Sequence, residues 1–234
     1  MINNSKLLAI IPARGGSKRL PTKNILELSG KPLIVWTIDA AKRSKYIDRI
    51  VVSTDDGDIA ETAINAGVDV PFIRPSHLAE DHTSTYEVVA HTLTQLRNNG
   101  DQFEYLLLLQ PTSPLRTTEH IDGATDLLIS KNADAVISVT EANHLNEWSG
   151  EIPESLCLEK FFHGKTEKRS QELPKQFRIN GAIYLVDVSK LLAYKTFFLP
   201  KNIVAYRMKR EASIDIDTQL DFQLAEYLIK LNNL

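Results

Sequence analysis

The 234-residue sequence predicts an α/β domain: a mostly parallel, Rossmann-like sheet with helices on both faces. Three observations carry that prediction. Short apolar runs alternate with segments of helical spacing up to about Glu141, and again near the C-terminus. Dense polar clusters follow directly on several of the apolar runs. Between about Glu141 and Phe177 the rhythm lapses into a polar stretch too long for a connector.

The elements follow in order. "KLLAIIP" is a short apolar run ending in Pro12, as a buried parallel strand reads. "KPLIVWTIDAAKR" has Leu33, Trp36, Ile38 and Ala40–Ala41 near helical spacing, with Pro32 in the expected first turn. "DRIVVST" is a second strand and "DIAETAINAG" a second helix, closed by Gly67. "VDVPFIR" reads as a short strand. "STYEVVAHTLTQLRNNG" is a third helix with Ser84 or Thr85 as N-cap and Gly100 beyond its end. "EYLLLLQ" is the most apolar run and reads as a central strand. "TEHIDGATDLLIS" is a helix and "DAVISVT" a strand. After the break come the strand "GAIYLVD", a short helix from about Ser189, the strand "NIVAYRM" and the helix "TQLDFQLAEYLIKL". We read one domain over 1–234 with an arm inserted at about 141–177.

Composition narrows the function. The net charge of −3 argues against a generic polyanion binder, so no nucleic-acid partner is expected and any basic site must be local. A single cysteine, Cys157, excludes an internal disulfide framework and suits a reducing compartment. No leader-like N-terminus is evident, and no run reaches the ~18 apolar residues of a membrane span. The expectation is a cytoplasmic protein without a membrane partner.

In parallel sheets, ligands bind beyond the carboxyl ends of strands. "IPARGGSKRLPTKN" occupies such a place, with Arg14, Lys18, Arg19 and Lys23 and no acid. Adjacent Gly15 and Gly16, with Pro21 interrupting, match neither a Walker loop nor a dinucleotide fingerprint. The glycines still let backbone N–H groups approach an anion, and the cations could neutralise phosphate. A solvated basic loop is the other reading. "SIDIDT" puts Asp215 and Asp217 two apart, on one side of an extended segment. Such a pair suits a hard divalent cation that also holds phosphate oxygens. Equally, Asp217 or Thr218 could cap the last helix, with Asp221 completing a capping box.

"QPTSPLRT" follows the central strand and gathers Gln110, Thr112, Ser113 and Arg116; a turn with an N-cap at Thr117 or Thr118 is its plainer reading. "RPSHLAEDHTST" carries Arg74, His77, Asp81, His82 and Thr85. Its histidine spacing fits no zinc pattern. In "STDDGD" the acids read as helix caps and first-turn charges.

Taken together and in order, "IPARGGSK", "KNI", "STDD", "LAEDHTST", "LLLQPTSPLR", "RINGAIYLVD" and "SIDIDT" resemble the acylneuraminate cytidylyltransferase family, over nearly the whole chain. "LPTKNI" and "VDVPFIRP" look more like its bacterial legionaminic or pseudaminic acid branch. The resemblance implies a nucleotidyltransferase fold whose inserted arm builds a homodimer. It implies a reaction of CTP with a nine-carbon 2-keto sugar acid, giving CMP-sugar and pyrophosphate with Mg²⁺. It places Arg14, Ser17 and Lys23 on the triphosphate, with Lys18 beside them, and Asn24 on the nucleotide. Arg74 and Thr85 fall at the cytosine end, and Gln110, Thr112 and Ser113 at the sugar acid. Asp215 and Asp217 fall at the metal, and Arg14, Lys23 and Asp215 are the expected catalytic groups.

Two departures bear on the sugar. Where the arm often reads Arg-Arg-Gln, this chain reads Arg169-Ser170-Gln171, leaving Arg169 as the candidate for the sugar carboxylate; "NHLNEW" lacks a proline and lysine seen in some relatives. A cytidylyltransferase for the eight-carbon sugar KDO, a metal-dependent glycosyltransferase and a non-catalytic nucleotide-binding protein are the competing readings. The expected picture has cations on one side of a triphosphate and metal carboxylates on the other.

Overall fold

The first apolar run forms β1 (Leu7–Pro12), and its alternation organises the layers around it. Leu7, Ala9 and Ile11 join one core cluster, while Leu8 and Ile10 join another. Successive side chains of a strand point to opposite faces, so a run apolar at every position must be covered twice. On one face lie α1 (Leu33–Lys42), α2 (Gly57–Asn65) and α4 (Thr118–Lys131), through Ile34, Ile38, Ile59, Ala63, Ile121 and Leu128. On the other lie α3 (Thr85–Asn98) and α5 (Val188–Tyr194), through Val89, Leu96 and Leu191. Truncating any of these fully buried leucines to alanine costs about 2–5 kcal/mol.

The computed structural model describes residue 2 and residues 5–142, 150–158 and 174–231. Its main sheet also contains β4 (Arg49–Ser53), β5 (Tyr105–Leu108), β6 (Ala135–Glu141), β7 (Phe177–Asp187) and β8 (Ile203–Met208). The strand order is β4-β1-β5-β7-β6-β8, so the run "EYLLLLQ" is interior as expected. Two-residue strands β2 (Glu27–Leu28) and β3 (Lys31–Pro32) form a separate ribbon before α1.

The pairs β1/β4, β1/β5 and β6/β8 are parallel, while β7 runs antiparallel to both β5 and β6. Glu141 at the end of β6 pairs with Phe177 at the start of β7, and the Ala142 N–H donates to the Gln176 carbonyl at 2.9 Å. The chain therefore leaves and re-enters the sheet at facing positions, a return that needs no crossover helix. The proposed arm lies between those positions; Arg169 and "NHLNEW" fall outside the described residues.

"VDVPFIR" is not a strand. It makes only isolated bridges, Val51 to Asp69 and Thr54 to Ile73, because Pro71 between them has no N–H to give a ladder. Pro32 stands at the N-cap of α1, one position earlier than expected. Ser84 caps α3 in a reciprocal box with Glu87, and Asp56 caps α2 by accepting from the N–H groups of Asp58 and Ile59. The last helix, α6 (Gln219–Leu231), buries Phe222, Ala225 and Ile229 in a third cluster with Leu20, Leu28, Leu33, Leu115 and Ile216. No helix among the described residues is long and apolar enough to cross a membrane.

Candidate active site

That third cluster assembles the site. It joins three loops distant in sequence, through Leu20 of the opening loop, Leu115 of "QPTSPLRT" and Ile216 of "SIDIDT". Above it a cleft of about 390 Å³ opens beyond the carboxyl ends of β1 and β5, the position such sheets reserve for ligands. Arg14, Ser17, Lys23, Asn24, Arg74, Thr85, Gln110, Thr112, Asp215 and Asp217 all line it. Lys18 lines an adjoining recess with Arg19 instead.

The opening loop turns tightly at Gly15. Its N–H donates to Asp55 at 3.3 Å, and a Cβ there would collide with Asp56, the cap of α2. The short turn Lys23–Ile25 closes the loop, and Asn24, nearly buried, donates through Nδ2 to the Arg14 carbonyl at 3.0 Å. The four cations differ sharply in setting. The Lys23 side chain is 12% exposed and Arg14 37%, against 74% for Arg19 and 80% for Lys18.

Two carboxylates take all four cations. Arg14 lies 2.9 Å from Asp81, which Lys18 also contacts, while Lys23 and Arg19 each stand 3.2 Å from Asp217. Lys23 also donates to the Ile216 carbonyl at 2.6 Å. The expected division between cations and carboxylates therefore does not hold in this structure, where the two interleave. The hydrogen bond from Lys18, reinforced by Arg14, holds the Asp81 carboxyl below its ordinary range.

The acid segment resolves the choice the sequence left open at its end. Thr218 and Asp221 form the reciprocal contacts that start α6, with the Thr218 N–H donating to Asp221 at 2.8 Å. The cap falls on Thr218, so the side chains of Asp215 and Asp217 are free to face the cleft. Between them Ile216 is fully buried, and its N–H donates to the Thr112 carbonyl at 2.8 Å. Alternation about this anchor turns both carboxylates away from the core. Asp215 is exposed to the cleft, with protein packed around its other sides. Loss of hydration pushes its carboxyl above the ordinary range; Asp217 adds to the rise, and Thr112 and Lys23 oppose it. A hard divalent ion fits this donor set, because Mg²⁺ is commonly held by one or two carboxylates together with phosphate oxygens. Among the described residues no group of three or more acidic, His or Cys side chains offers a closed protein cage.

The far wall carries Arg74 and Thr85. Arg74 is buried, with its guanidinium 3.3 Å from Asp55, and loss of hydration lowers its pKa against the pull of that carboxylate. Thr85 opens α3 at the rim. In "QPTSPLRT", Gln110 and Thr112 face the cleft, but Ser113 is fully buried and does not line it. The turn explains this: the Ser113 N–H donates to Gln110, the Arg116 N–H donates to Ser113, and the serine side chain is turned inward. Arg116 is structural. Wholly buried, it donates to the carbonyls of Gln110 and Ala182 and to the Thr37 hydroxyl, and burial drives its pKa down to about 9.

Gly181 lies within β7 at φ +75°, where a Cβ would stand 2.7 Å from Gln110 Oε1 and 3.9 Å from Asp215 Oδ2. This close approach, and the pairing of Asp81 with two loop cations, were missed by sequence reasoning. The glycine of "RINGA" was the available signal for the first; nothing local signals the second.

Known proteins resemble this chain over nearly its whole length. The cytidylyltransferase family pattern matches residues 8–233. The chain is 37% identical over 229 residues to the CMP-N,N'-diacetyllegionaminic acid synthase of Legionella pneumophila, covering 97% of each. It is 32% identical to the pseudaminic acid cytidylyltransferase of Campylobacter jejuni, covering 97% of this chain and 98% of that one. Among solved structures, a CMP:2-keto-3-deoxy-manno-octonic acid synthetase complexed with CTP superposes with a TM-score of 0.72 over 97% of this chain and 100% of its own. At 18% identity that likeness speaks for the fold alone. The chain belongs to the cytidylyltransferase family and is a nucleotidyltransferase.

Proposed function

We propose that this protein joins CTP to a nine-carbon 2-keto sugar acid of sialic, legionaminic or pseudaminic type, releasing pyrophosphate, with Mg²⁺ required. The names of its relatives support the substrate class. The observation that carries the reading is that Arg14 and Lys23 of the opening loop and the Asp215/Asp217 pair line one cleft.

In this reading the anomeric oxygen of the sugar acid attacks the α-phosphorus. The bond from that phosphorus to the α–β bridging oxygen breaks, pyrophosphate leaves with the electron pair, and the hydroxyl proton passes to solvent. Arg14, Ser17 and Lys23 bind the β- and γ-phosphates and stabilise charge on the leaving group, while Lys18 contributes from the adjoining recess. Asn24 holds the nucleotide, and Arg74 and Thr85 hold the cytosine end. Gln110 and Thr112 orient the sugar acid, and Ser113 supports that turn from beneath. A divalent cation held by Asp215 and Asp217 would neutralise phosphate oxygens and acidify the attacking hydroxyl. The segment 141–177 serves as dimerisation and sugar-recognition arm of a cytoplasmic homodimer, with Arg169 toward the sugar carboxylate.

Pyrophosphate release from CTP over a panel of acid sugars tests the reading. Release with a nine-carbon acid is expected; no release with any of them contradicts it. Asp215→Ala should lower turnover by about a hundredfold or more with the fold intact. Near-normal turnover at saturating Mg²⁺ would remove the metal role.

A further inference from the structure

The segment that carries Asp215 and Asp217 belongs to no strand or helix. It leaves β8 at Met208 and enters α6 at Gln219, so neither carboxylate is placed by a ladder or a helical turn. One anchor lies just after Asp215, where the Ile216 N–H meets the Thr112 carbonyl. The other lies two residues before it. Ser213, 1% exposed, accepts a hydrogen bond from Asn180 Nδ2 at 2.9 Å and donates to the Lys209 carbonyl at 2.7 Å.

Asn180 is itself fixed on every side. It is 2% exposed, and its Oδ1 accepts from the Ser138 hydroxyl at 2.6 Å and from the Ala182 N–H at 3.2 Å. Ser138, fully buried, accepts in turn from the Ile183 N–H at 2.8 Å. The pairing of β6 with β7 shifts register between Ile137 and Val139, and Gly181 adopts its left-handed conformation beside it. This irregularity leaves Ser138 and Asn180 bonded through their side chains and to the local backbone. Their amide and hydroxyls are thereby satisfied in a buried setting, where an unmet group is costly.

We propose that Asn180 and Ser213 form a positioning clamp for Asp215, referring the metal-binding carboxylate to the rigid β6/β7 pair. The inference rests on the metal role proposed above for Asp215. Loss of a group bonded directly to a metal ligand commonly lowers metal affinity by about 10–100-fold, and Asn180 and Ser213 act one step further out, through the backbone that carries Asp215, so the low end of that range applies. Without the Ser213 hydroxyl, the segment before Asp215 loses its side-chain tie to β7 and keeps the local backbone bonds from the Ser213 N–H to the Arg210 carbonyl and from the Ala212 N–H to the Lys209 carbonyl, which do not reach the sheet. The Mg²⁺-dependent part of nucleotide binding should suffer, while contacts made by Arg14, Lys23 and Arg74 persist.

The test compares CTP affinity by calorimetry with Mg²⁺ and with EDTA, in the wild type, Ser213→Ala, Ser213→Thr and Asp215→Ala. Ser213→Ala is expected to lose about tenfold of the affinity gained on adding Mg²⁺, with affinity in EDTA within about twofold of wild type. Ser213→Thr, which keeps the hydroxyl, should retain most of the gain. A merely structural role would weaken binding equally in both media, and that result overturns the clamp, as does a full Mg²⁺ gain in Ser213→Ala. Should Ser213→Ala fail to fold, Ser138→Ala releases the other end of the clamp and must show the same selective loss, or the proposal fails. Asp215→Ala separates the two readings. If it keeps the Mg²⁺ gain, the metal role itself is wrong; if it loses the gain while Ser213→Ala keeps it, only the clamp is wrong.

Discussion

Lys23 Nζ stands 3.2 Å from the Asp217 carboxylate, although 194 residues separate the two in sequence. The same amine reaches the Ile216 carbonyl at 2.6 Å, so Lys23 ties the opening loop to the acid segment. A cation held this way can stabilise a leaving phosphate and steady a carboxylate at once. Lys23→Ala should therefore lower kcat by about 10²–10³-fold, and Lys23→Arg by less. Steady-state pyrophosphate release measures both. A kcat near wild type in Lys23→Ala would deny it either part.

Asp81 occupies Arg14 and Lys18 in the structure described. In the proposed reading, nucleotide phosphates compete with that carboxylate for the same two side chains. The pairs are substantially exposed, so the competition is mild. Asp81→Asn is expected to tighten CTP binding by about two- to threefold, with a shallower dependence on salt. Weaker CTP binding in that variant would mean that Asp81 assists the nucleotide.

Much of this was legible in the sequence, for identifiable reasons. β1, β5 and the helices around them were readable because Leu7 to Ile11 and Leu106 to Leu109 are buried on both faces, and burial on both faces leaves an uninterrupted apolar run. Arg14, Gln110 and Thr112 were readable because they follow strand ends, and Asp215 and Asp217 because their spacing puts them on one side of an extended segment. The direction of β7 was not, since strand direction leaves no mark in side-chain alternation. Ser113 and Asp81 show the same limit at the site. Whether a serine in a proline-stiffened turn points inward, or which acid meets Arg14, depends on how distant loops are brought together over Leu20, Leu115 and Ile216.

Gly181 brings β7 up against both Gln110 and Asp215. Replacement by alanine forces a side chain into φ +75° and against Gln110 Oε1. The backbone cost is about 1–2 kcal/mol, and about 2–4 °C of Tm per kcal/mol is expected at this size. Because Gln110 is displaced first, the KM for the sugar acid should rise more than the KM for CTP. Equal rises would argue that the glycine serves the fold alone.

His120 gives the fold an acid-sensitive point. Its Nδ1 accepts the Thr117 N–H at 3.1 Å at the start of α4, a bond only the neutral ring can make. Loss of hydration holds its pKa below the ordinary 6.5; Glu119 opposes the shift, and Arg116 and Lys209 add to it. The folded protein thus binds this proton less readily than the unfolded chain. The stabilisation is fully present above pH 6.5 and is lost as pH falls through the folded value. Urea midpoints should fall from pH 7 toward pH 5, and His120→Gln, which keeps an N3 acceptor, should flatten that slope. An unchanged slope in His120→Gln would assign the acid sensitivity elsewhere.

If the cleft is the catalytic site, one molecule of CTP lies with its triphosphate between the opening loop and the acid segment. A crystal structure of the protein with CTP and Mg²⁺ would show where the triphosphate and the metal lie. Phosphate oxygens are expected within hydrogen-bond reach of Arg14 and Lys23, with the metal on Asp215 and Asp217. A triphosphate bound away from these side chains, or a metal bound without either aspartate, would contradict this arrangement.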